Sequence, residues 1–126
     1  SDDLTRIEIN TDDMVEEIKY LTLNFRGQET KISSNDDRIF VIGRGVQSDL
    51  MCQTRLASRT HMMIEFRRGK FTLADQSSNG TFVKTDDGEN IFLRRQELML
   101  WGSGRISLGE DVTKEDPADI IKYVCE

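Results

Sequence analysis

Apolar residues recur at every second position in several short stretches of this chain. The pattern is clearest at residues 20–25 (YLTLNF) and 62–66 (MMIEF), and residues 38–42 (RIFVI) form an almost continuous apolar run. Because successive side chains of a strand point to opposite faces of a sheet, alternation predicts a strand with one buried face. The apolar run predicts a strand that is buried on both faces.

Turn signals separate the predicted strands. Further strands are predicted at 71–73, 81–83, 91–93, 98–100 and 106–108. Residues 68–69 (RG), 86–88 (DDG) and 102–104 (GSG) are predicted to turn the chain, since glycine and aspartate favour tight turns. Many short strands about ten residues apart, joined by turns that contain glycine, predict an all-β sandwich or barrel.

The two ends of the chain do not follow the strand pattern. Residues 1–17 are acidic and only weakly periodic, so we interpret them as a leader or inter-domain linker. One β domain is assigned to residues 18–110. Residues 111–126 are predicted to be a C-terminal tail that can hold a short helix, with Asp116 as N-cap and Pro117 in the first helical position. The apolar stripe of that helix would consist of Ile120, Ile121 and Val124.

Length and composition narrow the class of protein. At 126 residues the chain is long enough for one domain with a single core. No apolar run approaches the roughly 20 residues of a membrane-spanning helix, and no secretory signal is visible. Cys52 and Cys125 have neither metal-binding nor redox spacing, so we expect free thiols in a reducing cytoplasm. We expect no metal, no cofactor and no membrane contact.

Charge is distributed unevenly along the chain. The net charge of −6 argues against a nucleic-acid partner, yet residues 43–72 hold six basic residues against two acidic ones. Such a basic window indicates either a local anion site or solvated arginines on strand edges, and charge alone favours neither. The basic residues of the window are Arg44, Arg55, Arg59, Arg67, Arg68 and Lys70.

Two loop segments in this window carry hydrogen-bond donors. The segment IGRG at 42–45 presents Arg44 between two glycines at the end of a strand, where a guanidinium can bind an anion with two parallel hydrogen bonds. The segment LASRTH at 56–61 places Ser58 beside Arg59, just before another predicted strand. Each segment alone is also typical of a simple polar turn.

The single histidine invites a catalytic interpretation. His61 could act as a base for Ser58, but no acidic orienting residue and no nucleophile elbow accompany them. We therefore expect His61 to hydrogen-bond to the backbone and to hold the loop around Ser58 in shape, and we expect no catalytic residue.

A third segment, DQSSNGTF at 75–82, has more hydroxyls than a turn requires. Asn79 and Gly80 make the turn, while neighbouring hydroxyls can satisfy local backbone groups. Together the three segments offer two guanidinium groups and several neutral donors. That combination suits a phosphoryl group, because charge-assisted hydrogen bonds contribute roughly 1.5–3 kcal/mol each.

In order and separation, these segments resemble the forkhead-associated (FHA) domain, a phosphothreonine-reading module. The resemblance rests on IGRG at 42–45, Asp49, SRTH at 58–61, LADQSSNGTFV at 73–83 and GRISLG at 104–109. It covers about residues 20–109. It implies a β-sandwich of about eleven strands whose loops bind a phosphopeptide at one end.

The resemblance also implies roles for individual residues in peptide binding. Arg44 looks like the phosphate-binding arginine, Ser58 like the serine that donates to a phosphate oxygen, and Arg59 like an auxiliary contact. Asn79 looks like the residue that binds the peptide main chain, and Ser78 would line the pocket beside it.

Other matched positions imply structure or selectivity. Structural roles fall on Gly43, His61, Gly80 and Thr81. Selectivity for the third residue after the phosphothreonine points to Arg55, which would favour an acidic side chain, or to Leu56, which would favour an apolar one. The interval 75–79 is one residue shorter than in many family members, which leaves the division of roles between Ser77 and Ser78 open.

The sequence therefore predicts a phosphothreonine-peptide-binding module in a larger signalling protein. Its partner would be a phosphothreonine-containing protein, either separate or on the parent chain. No enzymatic activity is expected, because the sequence has no nucleotide-binding loop, metal cluster or paired acid and base. The alternative is phosphate-independent association, including dimerisation through an exposed sheet face.

Overall fold

Two β-sheets make up the part of the chain that the computed structural model describes, residues 17–126. Their strands are β1 (Tyr20–Phe25), β2 (Gln28–Ser33), β3 (Phe40–Gly43), β4 (Leu50–Met51), β5 (Met62–Arg67), β6 (Lys70–Asp75), β7 (Thr81–Thr85), β8 (Asn90–Leu93), β9 (Glu97–Met99), β10 (Ser103–Leu108) and β11 (Ile121–Cys125). One sheet has the order β2-β1-β11-β10-β7-β8, and the other has the order β4-β3-β5-β6-β9. Neighbouring strands are antiparallel except β3 and β4, which are parallel. The predicted all-β sandwich of about eleven strands is confirmed.

The alternating stretches of the sequence form strands with one face in the core. In β1, Leu21 and Leu23 are fully buried, and the alternate residues of the strand are half-buried. In β5, Met62 and Ile64 are buried in the same way. The inner faces of both sheets contribute to one apolar core, in which each large side chain contributes roughly 1.5–3 kcal/mol.

Two details of the strand prediction differ from the structure. Strand β3 is buried mainly on one face, since Val41 is half-buried and the preceding Ile39 is exposed. The turn at 102–104 does not pair the strands that flank it. Instead β9 pairs with β6 in one sheet and β10 pairs with β7 and β11 in the other, because the chain crosses the sandwich there.

The C-terminal segment 111–126 ends in a strand rather than a helix. A helix does begin at Pro117 with Asp116 as its cap, but it is a single 3-10 turn, Pro117–Asp119. The prediction that Ile120, Ile121 and Val124 form the apolar stripe of a helix is wrong. Strand β11 fills the gap between β1 and β10, and Ile121 and Tyr123 point into the core. No helix within residues 17–126 has the length and apolarity that a membrane crossing needs.

Pairing register brings several loops to one end of the sandwich. The end of β3, the start of β5 and the end of β6 are in register at Ile42, Met62 and Asp75. The end of β10, the start of β7 and the end of β8 are aligned in the same way in the other sheet. The β3–β4, β4–β5, β6–β7 and β8–β9 loops therefore lie close together. The predicted leader, residues 1–17, lies outside the described residues except for Glu17.

Candidate functional site

Three loops meet at the end of the sandwich where β3 and β6 finish. The β3–β4 and β4–β5 loops are joined by hydrogen bonds from the Arg44 N–H to the Ser58 carbonyl (2.9 Å) and from the Gly45 N–H to the Arg59 carbonyl (3.0 Å). The β6–β7 loop joins them through Ser78, whose N–H donates to Ser58 Oγ (3.0 Å). The structure thus brings the three donor-bearing segments of the sequence into direct contact.

Gly43 fixes the point at which Arg44 leaves β3. A Cβ atom at Gly43 would lie 2.2 Å from the Arg59 carbonyl oxygen and 2.8 Å from the His61 backbone nitrogen. Both are backbone atoms and cannot move aside without moving the β4–β5 loop. Glycine is therefore required here for close packing of the two loops.

Arg44 presents an oriented guanidinium at this end of the molecule. Its side chain is exposed, and Nη2 donates to the Thr54 carbonyl (2.7 Å). Within the described part of the chain Arg44 forms no ion pair, whereas the nearby Arg55 is paired with Glu110 (3.1 Å). The positive charge of Arg44 is therefore not neutralised by an ion pair within the described residues.

The Ser58 hydroxyl accepts one hydrogen bond from the protein and donates none within the described residues. Its oxygen accepts the Ser78 N–H, so the orientation of the hydroxyl is restricted. Within residues 17–126 its own hydrogen has no acceptor, which leaves the O–H group free to donate outward. A neutral donor therefore lies on the loop that the Arg44 backbone contacts.

His61 connects the Ser58 loop to the β6–β7 loop from inside the protein. It is fully buried, and its Nδ1 accepts the backbone N–H of Ser58 (3.0 Å). The neutral ring therefore carries its hydrogen on Nε2, which donates to the Gly80 carbonyl (2.9 Å). Burial lowers the pKa of His61, although the Gly80 hydrogen bond and the Asp75 carboxylate at 3.9 Å act in the opposite direction.

We expect the protein to lose stability as the pH falls below 6.5, the ordinary pKa of histidine, because of His61. Protonation would place a charge in a buried site and remove the lone pair that accepts the Ser58 N–H. Since the folded-state pKa is lowered, the unfolded state takes up the proton first, and stability that is complete above pH 6.5 is lost as the pH falls. The slope cannot exceed about 1.4 kcal/mol per pH unit for this one group. Denaturant unfolding from about pH 8 to about pH 5 measures it.

His61→Gln is the control for this pH dependence, because the chain has a single histidine. The variant should be less stable near neutral pH, since it loses the two hydrogen bonds of the ring. Its stability should nevertheless be nearly flat across the range in which the unmodified protein declines. An equal decline in both proteins would rule out His61 as the cause.

A buried carboxylate organises the β6–β7 loop. Asp75 Oδ1 accepts hydrogen bonds from the hydroxyls of Ser77 (2.7 Å) and Thr81 (2.6 Å), and Oδ2 accepts from the N–H groups of Ser77 (3.2 Å) and Arg95 (2.9 Å). Burial alone would raise the pKa of Asp75, but these hydrogen bonds favour the ionised form, and the net pKa lies below its ordinary value of 3.8. Sequence reasoning missed this network. The sequence feature that could have revealed its local part is an aspartate at a strand end with hydroxyl residues two and six positions later.

Ser77 and Ser78 occupy different positions in this loop. Ser77 is buried, and its Oγ donates to Asp75 and accepts the Gly80 N–H (2.7 Å). Ser78 is exposed and contacts Ser58 through its backbone. Ser77 therefore holds the loop together, and Ser78 lies on the surface beside the free hydroxyl.

Asn79 and Gly80 complete the β6–β7 loop. Asn79 is exposed, and its Nδ2 donates to the Leu56 carbonyl (3.3 Å), which links two of the loops. Gly80 has a φ of +90°, and a Cβ atom there would lie 2.3 Å from the Phe92 ring. Both the backbone conformation and the close contact require glycine.

The remaining predicted residues lie in the β4–β5 loop; they are Arg55, Leu56 and Arg59. Arg59 is exposed and lines a cleft of about 690 Å³ together with Arg44. Arg55 is exposed and paired with Glu110, whereas Leu56 is half-buried.

The geometry of the site differs from that of a hydrolytic centre. His61 Nδ1 faces the backbone N–H of Ser58, and Nε2 faces a carbonyl, so the imidazole is not hydrogen-bonded to the Ser58 hydroxyl. Within residues 17–126 no group of three or more His, Cys, Asp or Glu side chains is placed to hold a metal ion. What lies at this end is a set of hydrogen-bond donors and a guanidinium without an acidic partner among the described residues.

Comparison with solved structures supports the fold assignment. FHA-1 of Rv1747 from Mycobacterium tuberculosis is 18% identical, with a TM-score of 0.64, and the match covers 86% of this chain and 98% of that one. An FHA domain studied for phosphothreonine-dependent interactions is 22% identical, with a TM-score of 0.58 and coverage of 85% and 95%. M. tuberculosis EmbR in complex with a low-affinity phosphopeptide is 19% identical, with a TM-score of 0.59, and the match covers 98% of this chain but 28% of EmbR.

Sequence comparison identifies the family. No curated protein matches this chain at a significant level. The family model of the FHA domain matches residues 40–109, which is more than half of the chain and includes all three loops of the site. The chain therefore belongs to the FHA domain family.

Proposed function

We propose that this domain is a non-catalytic module that binds phosphothreonine-containing segments and so mediates phosphorylation-dependent protein–protein interaction in signalling. The observation that carries the proposal is the meeting of Arg44 and Ser58 at one end of the sandwich. The backbones of the two residues are hydrogen-bonded, the Arg44 guanidinium has no acidic partner in the described structure, and the Ser58 hydroxyl is free to donate. Together they offer a phosphoryl group a positive charge and a neutral donor.

In this proposal each predicted residue has a role that its position supports. Arg44 binds phosphoryl oxygens, the Ser58 hydroxyl donates to another oxygen, and Arg59 adds charge from the cleft it shares with Arg44. Asn79 hydrogen-bonds to the peptide main chain through the part of its amide that does not contact the β4–β5 loop. Ser78 lines the surface beside the phosphothreonine.

The phosphate contacts alone are too weak for tight binding. Charge-assisted hydrogen bonds contribute roughly 1.5–3 kcal/mol each, so three or four give about 5–12 kcal/mol before costs. Lost freedom of the peptide and ordering of side chains must be subtracted from that sum. Micromolar affinity needs about 8 kcal/mol net, so residues that flank the phosphothreonine must contribute.

Leu56 is better placed than Arg55 to read one of those flanking residues. Arg55 is already paired with Glu110, so an acidic peptide residue would have to compete for it. Leu56 is half-buried next to the backbone link with Asn79. We therefore expect the position read from the β4–β5 loop to favour an apolar side chain.

The structural neighbours and the cysteines support the proposed setting. One neighbour was studied for phosphothreonine-dependent interactions, and another was solved with a phosphopeptide. Cys52 and Cys125 are both free, which supports a reducing, cytoplasmic location. In the proposal the domain is part of a larger protein, and its ligand lies on another protein or on the parent chain.

Matched peptides that carry threonine, phosphothreonine or phosphoserine test the function by calorimetric titration. We expect saturable binding of the phosphothreonine peptide and none of the threonine peptide. Phosphoserine should bind at least about fourfold more weakly, because one buried methyl group contributes on the order of 0.8 kcal/mol. Folded protein that binds none of the phosphopeptides would refute the proposal.

A second candidate function is phosphate-independent association through a sheet face. Phe92 on edge strand β8 is 48% exposed, and its ring packs on Phe82 with centroids 4.7 Å apart. An exposed aromatic pair on a sheet edge is a plausible contact for a second copy or another chain. This candidate predicts self-association that phosphopeptides do not change, which sedimentation in the same titration series would detect.

A further inference from the structure

The β8–β9 loop holds an arginine against the β6–β7 loop. The Arg95 N–H donates to the buried carboxylate of Asp75 (2.9 Å), which fixes the backbone at this position. The Arg95 side chain lies along the loop, and its Nε donates to the Ser77 carbonyl (3.3 Å). The guanidinium is therefore positioned by two contacts, although the residue is exposed.

A single peptide group separates this guanidinium from the free hydroxyl of the site. The Ser77 carbonyl and the Ser78 N–H are the two ends of one peptide bond, and that N–H donates to Ser58 Oγ (3.0 Å). The bond is trans, so its N–H and C=O point in opposite directions. Arg95 Nε and Ser58 Oγ therefore lie on opposite sides of the loop and no more than about 9 Å apart.

The charge of Arg95 is not compensated within the described residues. No carboxylate of residues 17–126 lies within ion-pair distance of its guanidinium, in contrast to the pair formed by Arg55 and Glu110. Its terminal nitrogens therefore remain available as an oriented donor pair, the arrangement that binds carboxylates and phosphoryl groups.

Backbone conformation does not by itself single out Arg95. Its φ of +57° is unusual for a residue with a side chain, but Arg26 and Arg68 have similar values in the turns that precede Gly27 and Gly69. The bond to Asp75 comes from the backbone and does not require an arginine side chain. What distinguishes Arg95 is the position of its guanidinium beside the peptide-binding loop.

We propose that Arg95 is a specificity-determining residue that binds an anionic side chain within three residues of the phosphothreonine, at a position other than the third residue after it. An extended peptide advances about 3.3–3.6 Å per residue, so a span of up to about 9 Å corresponds to at most two or three residues. The anionic group is a carboxylate or a second phosphoryl group, since both accept a guanidinium fork. The inference rests on the proposed function and concerns a different flanking position from the one read near Leu56.

Peptides with one fixed phosphothreonine test this proposal. Glutamate, phosphoserine or alanine is placed in turn at each of about three positions on either side, and affinities are measured for the unmodified protein and three variants. Arg95→Asn removes the charge and tolerates a positive φ, and Arg95→Lys keeps the charge. Arg94→Ala is the matched control, since Arg94 is the exposed neighbouring arginine.

The expected result is a preference at one position within three residues of the phosphothreonine, other than the third residue after it. Glutamate there should bind about fivefold more tightly than alanine, and the advantage should shrink at high salt. If the natural ligand is doubly phosphorylated, a peptide with phosphoserine at that position should bind at least as well as one with glutamate. If the natural anionic group is a carboxylate, the phosphoserine peptide should bind more weakly. The preference should disappear in Arg95→Asn, persist in part in Arg95→Lys and be unchanged in Arg94→Ala.

Other outcomes separate failure of this inference from failure of the proposed function. If phosphothreonine peptides bind but acidic neighbours give no advantage, or the advantage survives Arg95→Asn, the specificity role is wrong and the proposed function stands. If Arg95→Asn weakens every peptide equally, the residue only braces the β6–β7 loop. If folded protein binds no phosphopeptide, both the function and this inference fall.

Discussion

Replacing Arg44 by alanine is expected to weaken binding of a phosphothreonine peptide at least about a hundredfold while leaving the fold intact. The substitution removes an oriented charge and two charge-assisted hydrogen bonds, worth roughly 3–6 kcal/mol together. The fold should lose little, because the side chain is exposed and its hydrogen bond goes to one loop carbonyl, that of Thr54. Calorimetric titration and thermal melting measure the two effects separately.

Two further variants make the Arg44 result specific. Lys70→Ala also removes one exposed positive charge, but at the start of β6, at the other end of the sandwich. Its affinity should stay within about twofold of the unmodified protein, since a distant exposed charge is screened. Arg44→Lys keeps the charge without the planar fork and should bind at an intermediate level. Undiminished affinity of Arg44→Ala would show that the phosphate site lies elsewhere.

Replacing Asp75 by alanine is expected to lower the free energy of unfolding by about 3–5 kcal/mol, the largest effect on stability that we predict. The carboxylate accepts hydrogen bonds from two hydroxyls and two backbone N–H groups, and the buried donors among them would lose their partner. Peptide binding should weaken as well, because the same network shapes the loop that carries Ser78 and Asn79. Denaturant unfolding measures the loss.

Asp87→Ala is the matched control for Asp75. Asp87 also accepts hydrogen bonds, from the Thr85 hydroxyl and from Trp101 Nε1, but it is exposed and lies at the other end of the sandwich. Its removal should cost about 1 kcal/mol or less. Similar losses for the two aspartates would contradict the role given to the buried network.

The stability that Asp75 supplies should depend on pH in a defined direction. Its folded-state pKa is lowered, so its contribution is complete above pH 3.8 and is lost as the pH falls below that value. The difference in stability between the unmodified protein and Asp75→Ala should therefore shrink below pH 3.8. A difference that stays constant down to lower pH would show that the charge of Asp75 does not matter.

Strands were predictable from the sequence where one face is apolar. Strands β1 and β5 follow the alternating pattern because their inner residues form the core of the sandwich. Strand β2 (QETKIS) was missed, since it is an edge strand in which Ile32 is the one buried residue. Strand β4 has two residues, which is too short for any periodic signal.

The C-terminal strand shows how tertiary context overrides a local signal. Asp116 and Pro117 do start a helical turn, but the chain continues as a strand in which Ile121 and Tyr123 face the core. Only the fold reveals that β1 and β10 leave room for a strand between them. The local choice between helix and strand was therefore decided by a vacant position in the sheet.

The candidate site, like the strands, could be predicted only in part from the sequence. Arg44, Ser58 and Asn79 are recognisable because each is a donor in a loop between predicted strands, and together they match a family pattern. The contact between Asp75 and Arg95 was missed because it joins residues 20 positions apart, which no local pattern reveals. Donors that face solvent are visible in a sequence, whereas the buried acceptors that position them become visible in the structure.

The most direct test of the account is a backbone and side-chain NMR titration of the domain with a phosphothreonine peptide and with its unphosphorylated twin. We expect saturable shifts that are confined to the three loops, centred on Arg44, Ser58 and Asn79, and seen with the phosphorylated peptide alone. Equal shifts with both peptides, or shifts centred on Phe92 at the β8 edge, would contradict it and favour phosphate-independent association.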